Sequence, residues 1–388
     1  MRVLHIISSG GMYGAESVIL NMSRTLNEGS HHSTLGVFLN SSNPNLQLHE
    51  SACREGIDSH LIPCKGRLDR TAIRLIRKLA AEAGADVVHA HGYKADMYVY
   101  FALRGSSIPL ISTCHTWYDH DPKDRFFGVV DRLILRSYGS IVAVSEGVRE
   151  QLLRAGVRAD KISIIPNGID LRIFDRASPV VKDELGWSDC PLVGLVGRLS
   201  VEKGVDVFLA AVPLVLEQLP GAKFVVVGDG PDRAKLDAWI DKLRIRGSVR
   251  MLGRRDDMPA VYASLDLMVS SSRQEGLPMA ILEGMASHLP LIATPVGGVP
   301  MVVLHDRTGV VVPVEDPAML ATNITKLLRD DAQRERLGSS ARRLVEDQFS
   351  AKRMTADYLR VYEAAAARSA TRRVRWGKSS VDPRGNAQ

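Results

Sequence analysis

Residues 191–219 read PLVGLVGRLSVEKGVDVFLAAVPLVLEQL, and the order of residue types in this stretch decides the fold. The apolar, β-branched run at 192–197 has the length of a buried strand. Residues 198–204 break it with charge and glycine, and from about Val205 apolar residues recur at helical spacing. Strand, loop and helix therefore follow in that order. The amino-terminal residues repeat the plan, with VLHIIS at 3–8, SGGMYGAES at 9–17 and a helical VILNMSRTL at 18–26. Further strand-like runs lie at 34–39, 86–90, 109–113 and 140–144 after the first start, and at 223–228, 248–252, 266–271, 290–293 and 309–312 after the second. Amphipathic helical stretches separate them, which predicts mostly parallel sheets covered on both faces.

The reading is α/β, with two Rossmann-like doubly wound domains at 1–172 and 173–350, joined after IIPNGIDLRIF, around residues 170–190. Residues 351–388 hold a strong helix former, AKRMTADYLRVYEAAAARSA, and a basic tail. A chain of 388 residues suits two domains at roughly 100–200 residues each. The formal charge of +6 favours anionic partners. Cys53, Cys64, Cys114 and Cys190 are scattered without a CxxC pair, which disfavours a zinc ribbon and predicts reduced thiols. The opening MRVLHIISSGG is interrupted by glycine too early for a signal-peptide core, and no apolar run approaches the roughly 18–20 residues that span a bilayer. A soluble, cytoplasmic chain is expected, peripheral at most to the inner face of the cytoplasmic membrane.

Ligands of open α/β sheets sit beyond the carboxyl ends of the strands, where glycine lets backbone N–H groups approach phosphate. Ser9-x-Gly11-x-x-Gly14 only approximates a dinucleotide fingerprint, and the second strand ends at Asn40 without the carboxylate that holds a ribose. An NAD-dependent dehydrogenase is disfavoured, and a tight turn without a ligand stays open for this loop. In GRLSVEKG, 197–204, Arg198 and Lys203 can grip a diphosphate, and Gly228 in VVGDGP ends the next strand as a second loop of close approach. In RQEGLPMAILEG, 273–284, Pro278 suits the first turn of a helix, so Glu275 falls in the loop before it and Glu283 on its second turn. Both carboxylates can then address sugar or ribose hydroxyls.

The E-x7-E pair, the preceding G-R-x-x-x-x-K loop, IIPNGID and GGMYGAE together resemble glycosyltransferase family 4, retaining enzymes of the GT-B fold. The resemblance runs from Gly10 to about Tyr362. It implies two domains facing a cleft, a last helix that crosses back to the first domain, and an acceptor bound by that domain. It implies a nucleotide diphosphate sugar on the second, with Arg198 and Lys203 on the diphosphate, Glu283 on the ribose and Glu275 near the sugar. His115, ending PLISTCH, matches the family histidine that points toward the donor sugar. Gly11, Gly228, Gly276, Leu277 and Met279 complete the expected donor-binding set, although Leu277-Pro278 departs from the Phe-Gly usual in the family and removes one N–H.

The expected reaction is transfer of a sugar to a hydroxyl of a glycan or lipid-linked acceptor, in making a cell-surface polysaccharide or glycolipid. No cofactor or metal is expected beyond the nucleotide sugar as co-substrate, and the Asp-x-Asp in YDHD, 118–121, reads as a solvated loop. Arg67, Arg70, Arg74 and Arg77 recur at helical spacing opposite Ile73, Ile76 and Leu79, either as an ordinary surface helix or as a patch for an anionic membrane. Nucleic acid is not expected, because no aromatic residues interleave with these charges. An epimerase or hydrolase of the same fold, and an inactive nucleotide-sugar-binding protein, remain the alternatives.

Overall fold

The structure, a computed structural model, describes residues 1–12, 14–41, 44–66, 68–115, 131–175 and 177–378, with side chains to residue 369. Among these the β-branched runs assemble into two parallel sheets. The first contains β1 (Arg2–Ile7), β2 (His32–Asn40), β3 (Asp58–Cys64), β4 (Val87–His91), β5 (Leu110–Cys114), β6 (Ser140–Ala143) and β7 (Ile162–Ile164), in the order β3-β2-β1-β4-β5-β6-β7. The second contains β8 (Leu192–Val196), β9 (Lys223–Val227), β10 (Val249–Gly253), β11 (Leu267–Ser270), β12 (Leu291–Ala293) and β13 (Val310–Val311), in the order β10-β9-β8-β11-β12-β13. The order reverses between β1 and β4 in one sheet and between β8 and β11 in the other, so each sheet has a crevice at its carboxyl edge.

β3 and β7 are not among the strands read from the sequence. β3 carries Asp58, His60 and Pro63, which break an apolar pattern, yet it is an edge strand and an edge tolerates proline. β7 is three residues long at the opposite edge.

The chain forms two compact units, Met1–Pro166 with Ala351–Gln388, and Asn167–Ser350. The first passage between them precedes the boundary expected after residue 172. Two long-range hydrogen bonds set it: Asn167 Nδ2 donates to the Leu277 carbonyl at 2.8 Å, and Ile169 N–H donates to the Phe349 carbonyl at 2.9 Å. These bonds commit the segment to the second unit.

In the first unit the helices Gly14–Glu28 and Gln47–Arg54 bury Ile19, Leu20, Leu48 and Ala52 against Ile7, Leu35 and Val37. The helices Arg70–Glu82, Tyr93–Leu103 and Glu146–Arg154 supply Ile76, Tyr98, Val148 and Leu152 to a larger core. The helix Ala351–Lys378 packs on Gly14–Glu28 and on β4. In the second unit Val205–Gln218 packs against Pro317–Leu328, and Met279–Ala286 against Asp331–Gln348. Burying each core Val, Leu or Ile contributes about 1.5–3 kcal/mol, so both units hold cores large enough to be stable. Among the described residues no helix is long and apolar enough to cross a membrane.

Candidate functional site

The carboxyl edge of the second sheet gathers the residues singled out in its motifs. β8 ends at Val196, the chain turns through 197–200, and a short 3-10 turn, Val201–Lys203, leads into the helix Val205–Gln218. Gly204 makes this entry possible. Its φ is +59°, and a Cβ there would lie 2.0 Å from the Ser271 carbonyl oxygen. That approach brings the loop after β8 against the loop after β11. Lys203 Nζ meets Glu275 Oε1 at 2.6 Å, and Ser272 Oγ donates to the same oxygen at 2.7 Å. The Glu275 side chain is 4 % exposed and that of Lys203 21 %. A charge pair at this separation is worth roughly 6 kcal/mol before desolvation at an effective dielectric near 20. Arg198 is exposed and has no ion pair or hydrogen bond from its side chain among the described residues. The crevice at β8/β11 therefore presents one unmatched guanidinium beside a lysine already shared with a carboxylate.

Arg273, first residue of the glutamate motif, is committed elsewhere. Its guanidinium donates twice to Asp206 at 2.8 Å, once to the Val201 carbonyl at 2.7 Å, and to Glu315. It ties the loop carrying Glu275 to the loop carrying Lys203. Gly276 accepts a hydrogen bond from Gly298 N–H, and Leu277 accepts one from Asn167. The helix begins at Met279, so Pro278 stands one residue earlier than expected, in an extended conformation. Leu277 and Met279 turn their side chains into the core, at 4 % and 6 % exposure, leaving only their backbone for a ligand. Gly228 closes the crevice on the β9 side. A Cβ there would lie 2.0 Å from the Gly197 carbonyl oxygen, so only glycine lets the two loops touch.

Glu283 lies on the second turn of Met279–Ala286, partly buried, and Tyr262 donates to its Oε2 at 2.6 Å. Burial raises its pKa above the ordinary glutamate value, with the Tyr262 hydroxyl opposing the shift. Tyr262, Asn167, Ser272 and the Gly297-Gly298 pair are absent from the sequence-derived site. Asn167 stood inside the IIPNGID motif without a role, Tyr262 sits on the helix Met258–Ala263 some distance in sequence from Glu283, and Gly298 meets Gly276 only once the fold is formed.

The first unit holds the remaining candidates. Gly11 follows β1, and its N–H is taken at 3.2 Å by Ser9 Oγ, which donates back to the Gly11 carbonyl at 2.8 Å. His115 follows β5; its Nε2 is buried without a hydrogen-bond partner among the described residues, and burial lowers its pKa to about 4. Unexpected from sequence is a buried set of three histidines, His5 on β1 with His89 and His91 on β4, whose ring nitrogens converge closely enough to suit a metal ion. His5 Nδ1 and His91 Nε2 share a hydrogen bond at 3.1 Å. His89 is already satisfied on both nitrogens, by Tyr362 at 2.8 Å and Thr113 at 2.8 Å, and Thr113 also bonds Tyr358 at 2.9 Å. The cluster thus works as a seam between the sheet and the helix Ala351–Lys378. The HAH spacing on β4 was the available signal, since alternate residues of a strand share a face.

Arg70, Arg74 and Arg77 are exposed on Arg70–Glu82, opposite buried Ile76 and Leu79. Arg77 Nε donates to the Ala102 carbonyl at 2.9 Å. Arg67 and the YDHD segment lie outside the described residues.

Residues 12–173 match the family described as Glycosyltransferase Family 4, and residues 181–344 match that described as glycosyl transferases group 1. N-acetyl-alpha-D-glucosaminyl L-malate synthase of Bacillus anthracis is 26% identical over 371 residues, covering 92% of this chain and 94% of its own. D-inositol 3-phosphate glycosyltransferase of Xylanimonas cellulosilytica is 29% identical over 347 residues, covering 82% and 81%. The structure of HepE from Anabaena in complex with UDP and glucose superposes with a TM-score of 0.82 at 20% identity, covering 94% of this chain and 99% of that one. Its likeness shows the GT-B fold.

Proposed function

The chain belongs to glycosyltransferase family 4, and from that premise we propose that it moves a sugar, with retention of configuration, from a nucleotide diphosphate sugar held by its second unit to a hydroxyl of a glycan or lipid-linked acceptor held by its first. Cell-surface polysaccharide or glycolipid synthesis is the setting this acceptor class fits. One observation carries the reading: Lys203 and Glu275 meet at the β8/β11 crevice on the loops after β8 and β11, the first of which also carries Arg198, with Glu283 on the helix that follows. The nucleotide and sugar in the HepE complex support a sugar nucleotide as donor.

The chemistry follows from charge. As the bond between the anomeric carbon and the diphosphate breaks, negative charge grows on the leaving oxygens. Groups that bind this charge more tightly in the transition state accelerate the step. Arg198 and Lys203 are those groups, and they supply the stabilisation without a metal. The acceptor oxygen attacks from the face the diphosphate leaves, and its proton passes to a leaving phosphate oxygen. Glu275, held by Lys203 and Ser272, positions the sugar rather than attacking it. His115, neutral near pH 7 because burial lowers its pKa, offers a hydrogen bond to the sugar rather than a charge. The exposed arginines of Arg70–Glu82 fit contact with anionic headgroups, at about 1 kcal/mol per basic residue near the surface.

The test is turnover with labelled uridine, guanosine and adenosine diphosphate sugars, in EDTA, with and without hydroxyl acceptors. Acceptor-dependent nucleotide release and a product keeping the donor's anomeric configuration are expected. An inverted product would remove retention, and sugar release indifferent to acceptor would favour the hydrolase or epimerase alternative.

A further inference from the structure

The first unit carries a cation that no acid among its described residues matches. The helix Tyr93–Leu103 opens one residue beyond β4, at the β1/β4 crevice, and its second residue is Lys94. Lys94 Nζ donates to Asn40 Oδ1 at the end of β2, and Asn40 Nδ2 donates to Ser8 Oγ at 3.2 Å, just past β1. The ammonium also lies 4.9 Å from the centroid of the Phe38 ring and 5.8 Å from that of Tyr98. The carboxyl ends of three strands are thereby laced around one charge. An ammonium has three donors, and a single neutral amide takes one of them. No carboxylate pairs with Lys94 among the described residues, whereas Lys203 is matched by Glu275 and Lys182 by Asp266.

The surroundings leave room for a ligand. Lys94 is only partly buried, and a Cβ placed on the neighbouring, exposed Gly92 would meet no described residue within 4 Å. The helix has no side-chain cap at this end, so its terminus adds to the positive potential. Rings and an amide orient the ammonium without neutralising it. This differs from a structural ion pair and matches a site awaiting an anion.

We infer that Lys94 binds an anionic group of the acceptor, a phosphate or a carboxylate, and so selects negatively charged hydroxyl compounds. The inference rests on the first unit being the acceptor domain and sharpens that reading to a substrate class.

The probes are inorganic phosphate and malonate, titrated separately by calorimetry into the full chain at constant ionic strength, with saturating UDP to fill the donor site. The titrations are repeated in Lys94→Met, Lys94→Arg, Arg198→Ala and Lys326→Met, the last an exposed lysine of the second unit. At least one anion should bind saturably. Lys94→Met should weaken it about tenfold or more, the loss of one charge-assisted bond, while Lys94→Arg largely retains it and the other two variants leave it unchanged. Equal anion affinity in wild type and Lys94→Met overturns the inference, as does the absence of saturable binding by either anion. UDP titrations of the same samples report on folding and keep the two readings apart. UDP affinity unchanged in Lys94→Met and reduced in Arg198→Ala is the expected pattern. Failure of wild type to bind UDP would sink the donor reading alone, since the anion titrations in Arg198→Ala still judge Lys94.

Discussion

Lys203 and Glu275 each have a double role, because the buried carboxylate depends on the ammonium that the diphosphate also needs. Removing one partner of a buried pair strands the other, at a cost of about 3–5 kcal/mol for full burial and less here, where Lys203 is partly exposed. Lys203→Met should therefore lower the urea midpoint, and adding Glu275→Gln should restore much of it; additive losses in that double-mutant cycle would deny the coupling. Arg198→Ala should leave the midpoint unchanged while lowering turnover about 100- to 1,000-fold, the scale of losing one transition-state donor. His115→Ala should spare nucleotide affinity and depress transfer, and equal loss of both would mark a structural histidine. The sequence carried these residue types because glycine, cation and carboxylate stand at strand ends. It did not carry their pairing, since Lys203 with Glu275 and Tyr262 with Glu283 meet only after the strands are ordered.

The helix Ala351–Lys378 is fastened to the first sheet by polar contacts that sequence periodicity does not reveal. Tyr362 and Tyr358 are both fully buried, one hydrogen-bonded to His89 and one to Thr113. Tyr362→Phe removes a bond worth about 0.5–1.5 kcal/mol and leaves His89 Nδ1 short of a partner, so thermal unfolding of the first unit should move to lower temperature with UDP affinity unchanged. The same seam sets an acid limit. Burial lowers the pKa of His5 to about 3 and holds His89 and His91 well below 6.5. Above pH 6.5 neither the folded nor the unfolded chain is charged at these rings, and stability is insensitive to them. Below it the unfolded chain takes up protons that the fold refuses, so stability falls toward pH 3, by up to about 1.4 kcal/mol per pH unit for each ring. Urea midpoints between pH 7 and 5 should decline, and more gently in His5→Asn; a flat profile would contradict the burial of neutral imidazoles. At this scale the strands with clean apolar runs were legible, whereas β3 and β7 escaped notice because edge strands need little apolar pattern.

For the molecule as a whole, repetition of strand, glycine loop and helix at both starts was enough to read two doubly wound sheets. The passage at Pro166/Asn167 was not, because it is set by Asn167 reaching Leu277, far along the chain. Two separate cores mean that a ligand of one unit stabilises that unit first. A ligand bound only to the folded state at 100 times its Kd adds about 2.7 kcal/mol. Hydrogen exchange should accordingly slow in residues 167–350 when a nucleotide sugar binds, most of all in the loops at 197–204 and 275–279. The most direct test of the central claim is a thermal-shift panel of uridine, guanosine and adenosine diphosphate sugars and their free nucleotides, in EDTA, on wild type and Arg198→Ala. The account predicts a saturable rise in melting temperature with one base family, lost or much reduced in Arg198→Ala. No shift with any nucleotide, or an equal shift in the variant, would contradict the assignment of the β8/β11 crevice as the donor site.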